Sequence, residues 1–117
     1  MTDRIVDIRD GAVRFRVRSE GRGAPLVYFH SIHDRGDWPA FLDHLAERFT
    51  VHAPYHPGVA GSEGVKGLDD VIDLALAYDE LLGALGIERA HLVGHFFGAM
   101  VAAAPLEAQV WGEVERL

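Results

Sequence analysis

Leu92-Val93-Gly94-His95-Phe96-Phe97-Gly98 is the stretch on which the fold turns. Ala90 to Gly94 is a short apolar run of the kind that fills a strand buried on both faces. A helical pattern begins directly after it. A strand that turns at once into a helix brings two backbones very close together. The positions two before and two after the central residue must therefore be small. Gly94 and Gly98 flank Phe96 at that spacing. The central residue of such a turn is thrust upward at the C-terminal end of its strand, and here it is a phenylalanine.

Working outward, residues 4–18 read as a β-hairpin, with two alternating runs on either side of a two-residue turn, Asp10-Gly11. Leu26-Val27-Tyr28-Phe29-His30 is a second buried-strand run. Trp38, Phe41, Leu42, Leu45 and Phe49 recur at spacings of three and four, which predicts a helix with Asp37 as N-cap and Pro39 in its first turn. Thr50–Ala53 is a short strand stopped by Pro54, and residues 57–67 form a glycine-rich loop. A second helix starts near Asp69 or Asp70 and carries Val71, Leu74, Ala75, Tyr78, Leu82 and Leu85 on one stripe, with Gly86 as a left-handed cap. Pro105 breaks or kinks the third helix and opens a new one with Leu106, Val110, Val114 and Leu117 on its apolar face. The sum is a hairpin followed by β-α-β-α-β-α, a pattern that implies a parallel sheet with right-handed crossovers.

Composition narrows the function classes. A net charge of −7 sets the molecule as a whole against phosphate backbones and anionic membranes. The row Arg14, Arg16, Arg18 alternates with Val13, Phe15 and Val17, as the wet face of a half-buried strand does. Neither nucleic acid nor membrane is expected as a partner. There are no cysteines, which removes disulfides, zinc–thiolate sites and a thiol nucleophile. The start, Met1-Thr2-Asp3-Arg4, has no apolar signal core, and no run approaches the length of a membrane span, so a cytoplasmic location is expected.

Three motifs in order then resemble the α/β-hydrolase family. Pro25-Leu26-Val27-Tyr28-Phe29-His30 resembles the family's third strand, which usually ends in His-Gly. Ala53-Pro54-Tyr55-His56-Pro57-Gly58, with the small residues running to Gly61-Ser62, resembles its Pro-Asp-x-Pro-Gly loop. Leu92 to Gly98 resembles its Leu-Val-Gly-His-Ser-x-Gly nucleophile elbow. The likeness covers residues 4–104, less than half of a typical family domain. It implies a single partial domain over residues 1–117 with a truncated, mostly parallel sheet of about five strands and flanking helices, while residues 105–117 do not read as the family's next strand and are expected to form an atypical C-terminal helix. The implied strand order is 1-2-4-3-5, with the fifth strand at an edge.

The resemblance also assigns a site and shows what it lacks. In the family the elbow serine attacks a carbonyl while two backbone N–H groups hold the oxyanion, and by position those donors are Ile32 and Phe97. Phe96 stands where the serine belongs and has no nucleophilic atom, so no catalytic residue is assigned. The family's acid and histidine come from strands beyond residue 117. Ser31 replaces the usual glycine after the third-strand histidine, and Tyr55 replaces the usual aspartate. Gly94, His95 and Gly98 remain as the elbow, with His30, Ser31, His33, Tyr55 and His56 as pocket candidates. Ser31 and Ser62 are the remaining hydroxyls nearby, and each is read as serving its loop.

His30, His33, His56 and His95 all fall at the C-terminal edge of the sheet, where α/β proteins place ligands and where convergent imidazoles can bind zinc or copper. Their spacing is not that of a dedicated metal motif, and the family has structural histidines at the places of His30, His56 and His95. No metal and no cofactor is assigned. The expectation is therefore a degenerate hydrolase-family chain without serine-hydrolase activity of its own. The alternatives are a non-enzymatic binding or dimerisation module and a histidine-dependent metal hydrolase. An apolar edge strand invites pairing, so a homodimer through the fifth strand, the terminal helix, or both is expected, with Trp111 as a candidate anchor.

Overall fold

The computed structural model describes residues 1–31, 37–95 and 97–102. The expectations placed on Ile32, His33, Phe96 and the helix from Pro105 lie outside these residues. Strands β1 (Thr2–Ile8) and β2 (Val13–Glu20) form the antiparallel hairpin. Val13, Phe15 and Val17 are buried, while Arg14, Arg16 and Arg18 take the other face. Asp3 and Asp7 share that face through the strand register. Arg14 lies 3.0 Å from Asp7 and Arg16 lies 2.7 Å from Asp3. Two of the three arginines are thus met by carboxylates of the adjacent strand, while Arg18 donates to the Tyr55 hydroxyl at 3.3 Å.

The hairpin turn departs from the two-residue form expected at Asp10-Gly11. Ile8 pairs with Val13, so Arg9, Asp10, Gly11 and Ala12 all lie in the connection. Arg9, Asp10 and Gly11 have φ of 52°, 55° and 87°, and the Ala12 N–H closes the turn on the Arg9 carbonyl at 3.0 Å. The positive φ at Arg9 accompanies a long-range anchor, because its guanidinium donates to Glu80 at 2.9 and 2.7 Å. That contact has no local sequence signal.

Strand β3 (Ala24–Phe29) leads to helix α1 (Ala40–Leu45), strand β4 (Phe49–Pro54), helix α2 (Val71–Ala84), strand β5 (His91–Gly94) and helix α3 (Phe97–Ala102). The sheet order is β1-β2-β4-β3-β5, with β4, β3 and β5 mutually parallel and the hairpin joined antiparallel to β4. Side chains of β3 alternate between two cores. Leu26 and Tyr28 pack with Leu42 of α1, Val51, Ala53 and Val93. Val27 and Phe29 face the larger core built from β2, α2, Leu92 and Val101. Burial on both faces accounts for the unbroken apolar run in β3.

Helix α1 is shorter than its periodicity suggests. Its N-cap is Pro39, extended at ψ 143°, so Asp37 and Trp38 precede the helix instead of capping it. Trp38 instead donates its indole N–H to Asp43 at 2.9 Å. Phe49 pairs with Ala24 as the first residue of β4, and this ladder draws it out of the helix. Helix α2 follows expectation more closely. Asp70 caps it by accepting the Asp73 N–H at 2.7 Å. Gly86, at φ 74°, ends it with the Ile87 N–H on the Leu82 carbonyl at 2.9 Å and its own N–H on Gly83 at 3.1 Å. The buried stripe is wider than expected and includes Ala77 and Leu81.

The glycine-rich loop after β4 is stitched to the sheet. Arg14 and Glu63 exchange backbone hydrogen bonds at 2.9 and 2.8 Å, and the Arg16 N–H donates to the Ser62 hydroxyl at 2.8 Å. These bonds occupy the edge of β2 beyond the point where β4 ends.

Candidate active site at the strand-to-helix elbow

The approach that Gly94 and Gly98 were expected to permit is present. A Cβ on Gly94 would lie 2.5 Å from the Ala99 Cα, inside the first turn of α3. A Cβ on Gly98 would fall onto the Phe29 carbonyl and sit 2.7 Å from the His30 oxygen. The His95 N–H donates to that same Phe29 carbonyl at 3.1 Å, and the Gly98 N–H returns to His95 at 3.0 Å. The elbow is therefore tied to the end of β3 by backbone bonds that only glycine at 98 allows. Phe97, the described one of the two oxyanion positions, opens α3.

His30 and His56 form the buried centre beside it. The His56 N–H donates to His30 Nε2 at 2.8 Å, so that nitrogen carries a lone pair. The proton then sits on His30 Nδ1, which donates to the Ser31 carbonyl at 2.6 Å. His56 returns the contact through Nε2–H to the His30 carbonyl at 2.8 Å. Its Nδ1 accepts from the Tyr78 hydroxyl at 2.5 Å. Both rings are held neutral by this pattern. Burial first, and then the neighbouring His30, push the His56 imidazole down to about 4. Burial pushes the Tyr78 phenol well up, so it remains a donor.

Each ring nitrogen of the pair is thus engaged, three of them in bonds that join the end of β3, the loop after β4 and α2. A metal would have to displace one of those partners. His95 is exposed, whereas His30 and His56 are buried. Among the described residues no three His, Asp or Glu side chains are grouped to hold an ion. Ser31 is buried, and Ser62 is engaged by β2 as described. Tyr55 is buried between His30, 5.7 Å from it by ring centroids, and Arg16, whose guanidinium carbon lies 5.5 Å over its ring.

Tyr78 belongs to the site although periodicity placed it in the helix core. A buried tyrosine needs a hydrogen-bond partner for its hydroxyl, and that was the available signal. Beside the histidines a cleft of about 320 Å³ opens between the post-β4 loop, the start of α2 and α3. Val59, Val65, Leu68, Val71, Leu74 and Phe97 give it apolar walls. The Phe97 ring stands edge-on to His56 at 5.2 Å.

An elbow seated on β3 at the C-terminal edge of a β4-β3-β5 parallel core is the signature of one fold class. The chain belongs to the alpha/beta hydrolase fold family, which its residues 24–108 match. It is 33% identical over 90 residues to a soluble epoxide hydrolase of Corynebacterium sp. (strain C12), an alignment covering 76% of this chain and 32% of that protein. It is similar to the solved structure of an epoxide hydrolase, CorEH, without ligand, with a TM-score of 0.77 and 31% identity over 86% of this chain and 35% of that one. Cfl2 from Burkholderia cenocepacia superposes with a TM-score of 0.84 at 25% identity, over 98% of this chain and 40% of that one. The chain spans about a third of the length of the curated relative. Among the described residues no helix is long and apolar enough to cross a membrane.

Proposed function

We propose that this chain is a degenerate α/β-hydrolase-family protein that does not carry out covalent hydrolysis by itself. The observation that carries this reading is Phe96 at the centre of an elbow whose two glycines still make their close contacts. A benzyl side chain has no lone pair with which to attack an ester carbonyl or an epoxide carbon. The buried imidazoles beside the elbow do not replace the missing group, because His30 and His56 use their ring nitrogens to hold the fold.

The purified chain is expected to show no turnover of short-chain p-nitrophenyl esters or of an aryl epoxide above the buffer rate, with or without chelator. Phe96→Ser and Phe96→Asp are expected to remain inactive in this chain, since the His30 and His56 ring nitrogens are engaged and do not serve a nucleophile as base. Wild-type turnover indifferent to chelator would refute the reading. Turnover abolished by chelator would favour a metal-dependent hydrolase built on the histidines.

A second reading, a non-enzymatic module that works by pairing, is favoured by the position of β5. Among the described residues this strand pairs with β3 on one side, and its other edge carries no ladder. A homodimer formed through that edge would satisfy its backbone groups.

A further inference from the structure

At the opposite end of the sheet from the elbow lies a hollow of about 640 Å³, bordered by Met1, Thr2, Arg4, Ser19, Arg22 and His52 among others. It sits where β2 ends and β4 begins, and the sequence gives no motif for it. From its lining we propose that it binds a small phosphate-bearing anion, with the Arg4 and Arg22 guanidiniums as the charged recognition groups and His52 as the polar floor.

Arg48 and Arg89 share with these two arginines the lack of an ion pair among the described residues, and it is the common hollow that sets Arg4 and Arg22 apart. Arg9, Arg14 and Arg16 each meet a carboxylate of a neighbouring element. Arg4 and Arg22 have no ion pair among the described residues, yet both line one concavity. The one carboxylate on the rim, Glu20, is turned to the Met1 ammonium at 3.6 Å. The guanidiniums therefore remain as uncompensated positive charge in a protein whose net charge is −7. Forked N–H donors on a concave surface match the tetrahedral oxygens of phosphate.

His52 supplies a second line of evidence. Ser19 holds its Nδ1 at 2.8 Å, fixing the ring on the floor of the hollow and leaving Nε2 without a hydrogen-bond partner among the described residues. Burial first, and then the charge on Arg4, push the His52 imidazole below its ordinary value. The ring thus lies within the positive field that an anion would fill. The groups facing it are Arg4, Arg22, Glu20, the Met1 ammonium and the hydroxyls of Ser19 and Thr50, whose proton goes to the Gly23 carbonyl at 3.0 Å. The hollow is large enough for a phosphate ester and not only for the free ion.

The test is a titration of the untagged chain with inorganic phosphate and, separately, with ribose 5-phosphate, following the His52 ring resonances across pH. Saturable binding at millimolar ligand is expected, with the His52 pKa rising on saturation because a bound dianion favours the imidazolium. Arg4→Gln and Arg22→Gln should each weaken binding by roughly tenfold. Tighter binding of the ester than of phosphate would assign the occupant as an organic phosphate, and equal binding would assign the free ion. No saturable binding, or binding that survives the double variant R4Q/R22Q unchanged while its circular dichroism matches wild type, would overturn the proposal.

Discussion

A methyl group on Gly98 would have to share space with the Phe29 carbonyl, so this position tolerates no side chain while the elbow stays closed. Gly98→Ala should cost about 1–3 kcal/mol, the usual penalty for overpacking a tight contact. Urea unfolding measures it, and an unchanged midpoint would mean that strand and helix do not approach this closely. The His56–Tyr78 bond makes a different prediction. The folded protein holds His56 near 4, against an ordinary value of 6.5, and so binds fewer protons than the unfolded chain. Its contribution to stability is complete above 6.5 and is lost as pH falls toward 4, on the order of 3 kcal/mol in all. Tyr78→Phe removes the donor to the neutral ring and should cost about 1–3 kcal/mol at neutral pH. The same change lets the His56 pKa rise, so the gap between variant and wild type should narrow as the solution is acidified. A gap constant with pH would assign Tyr78 to packing alone.

Among the elements, α2 is bounded at both ends by groups visible in the sequence. Asp70→Ala should lower stability by about 1 kcal/mol through the loss of its bond to the Asp73 N–H, read as a shift of the urea midpoint. Gly86 and the elbow glycines were legible for the same reason as Asp70: each answers a local backbone demand that few residues can meet. The strand order was legible through the family likeness of three motifs. Helix α1 is shorter than its pattern at both ends, because Trp38 and Phe49 keep a helical spacing while Pro39 is extended and the β3 ladder claims Phe49. The hairpin turn differs from the Asp10-Gly11 pattern at Arg9, whose partner Glu80 lies far along the chain and leaves no local signal. At the candidate site, sequence brought His30 and His56 to one edge of the sheet but could not supply their bonding. Their partners are 22 and 26 residues apart, beyond the reach of any periodicity.

At the scale of the whole molecule, the proposed β5-edge dimer must form between chains that each carry seven net negative charges. Mutual repulsion opposes it most at low ionic strength and is screened at physiological salt. Light scattering at micromolar concentration should therefore report a dimer whose population grows as salt is raised. A stable monomer under both conditions would remove the pairing reading and leave the open strand as a property of the isolated fold.

The strand order also has a consequence in time. β2 and β3 follow one another in the chain but are not neighbours, since β4 lies between them. As the chain leaves the ribosome, the hairpin can close at once, yet β3 cannot dock beside it until residues 49–54 arrive to fill the slot. During that interval Leu26, Val27, Tyr28 and Phe29 are out in water with no strand on either side. A run that ends fully buried in the folded protein is thus also the one that must wait longest for its neighbours, and it is a segment a chaperone would have reason to hold.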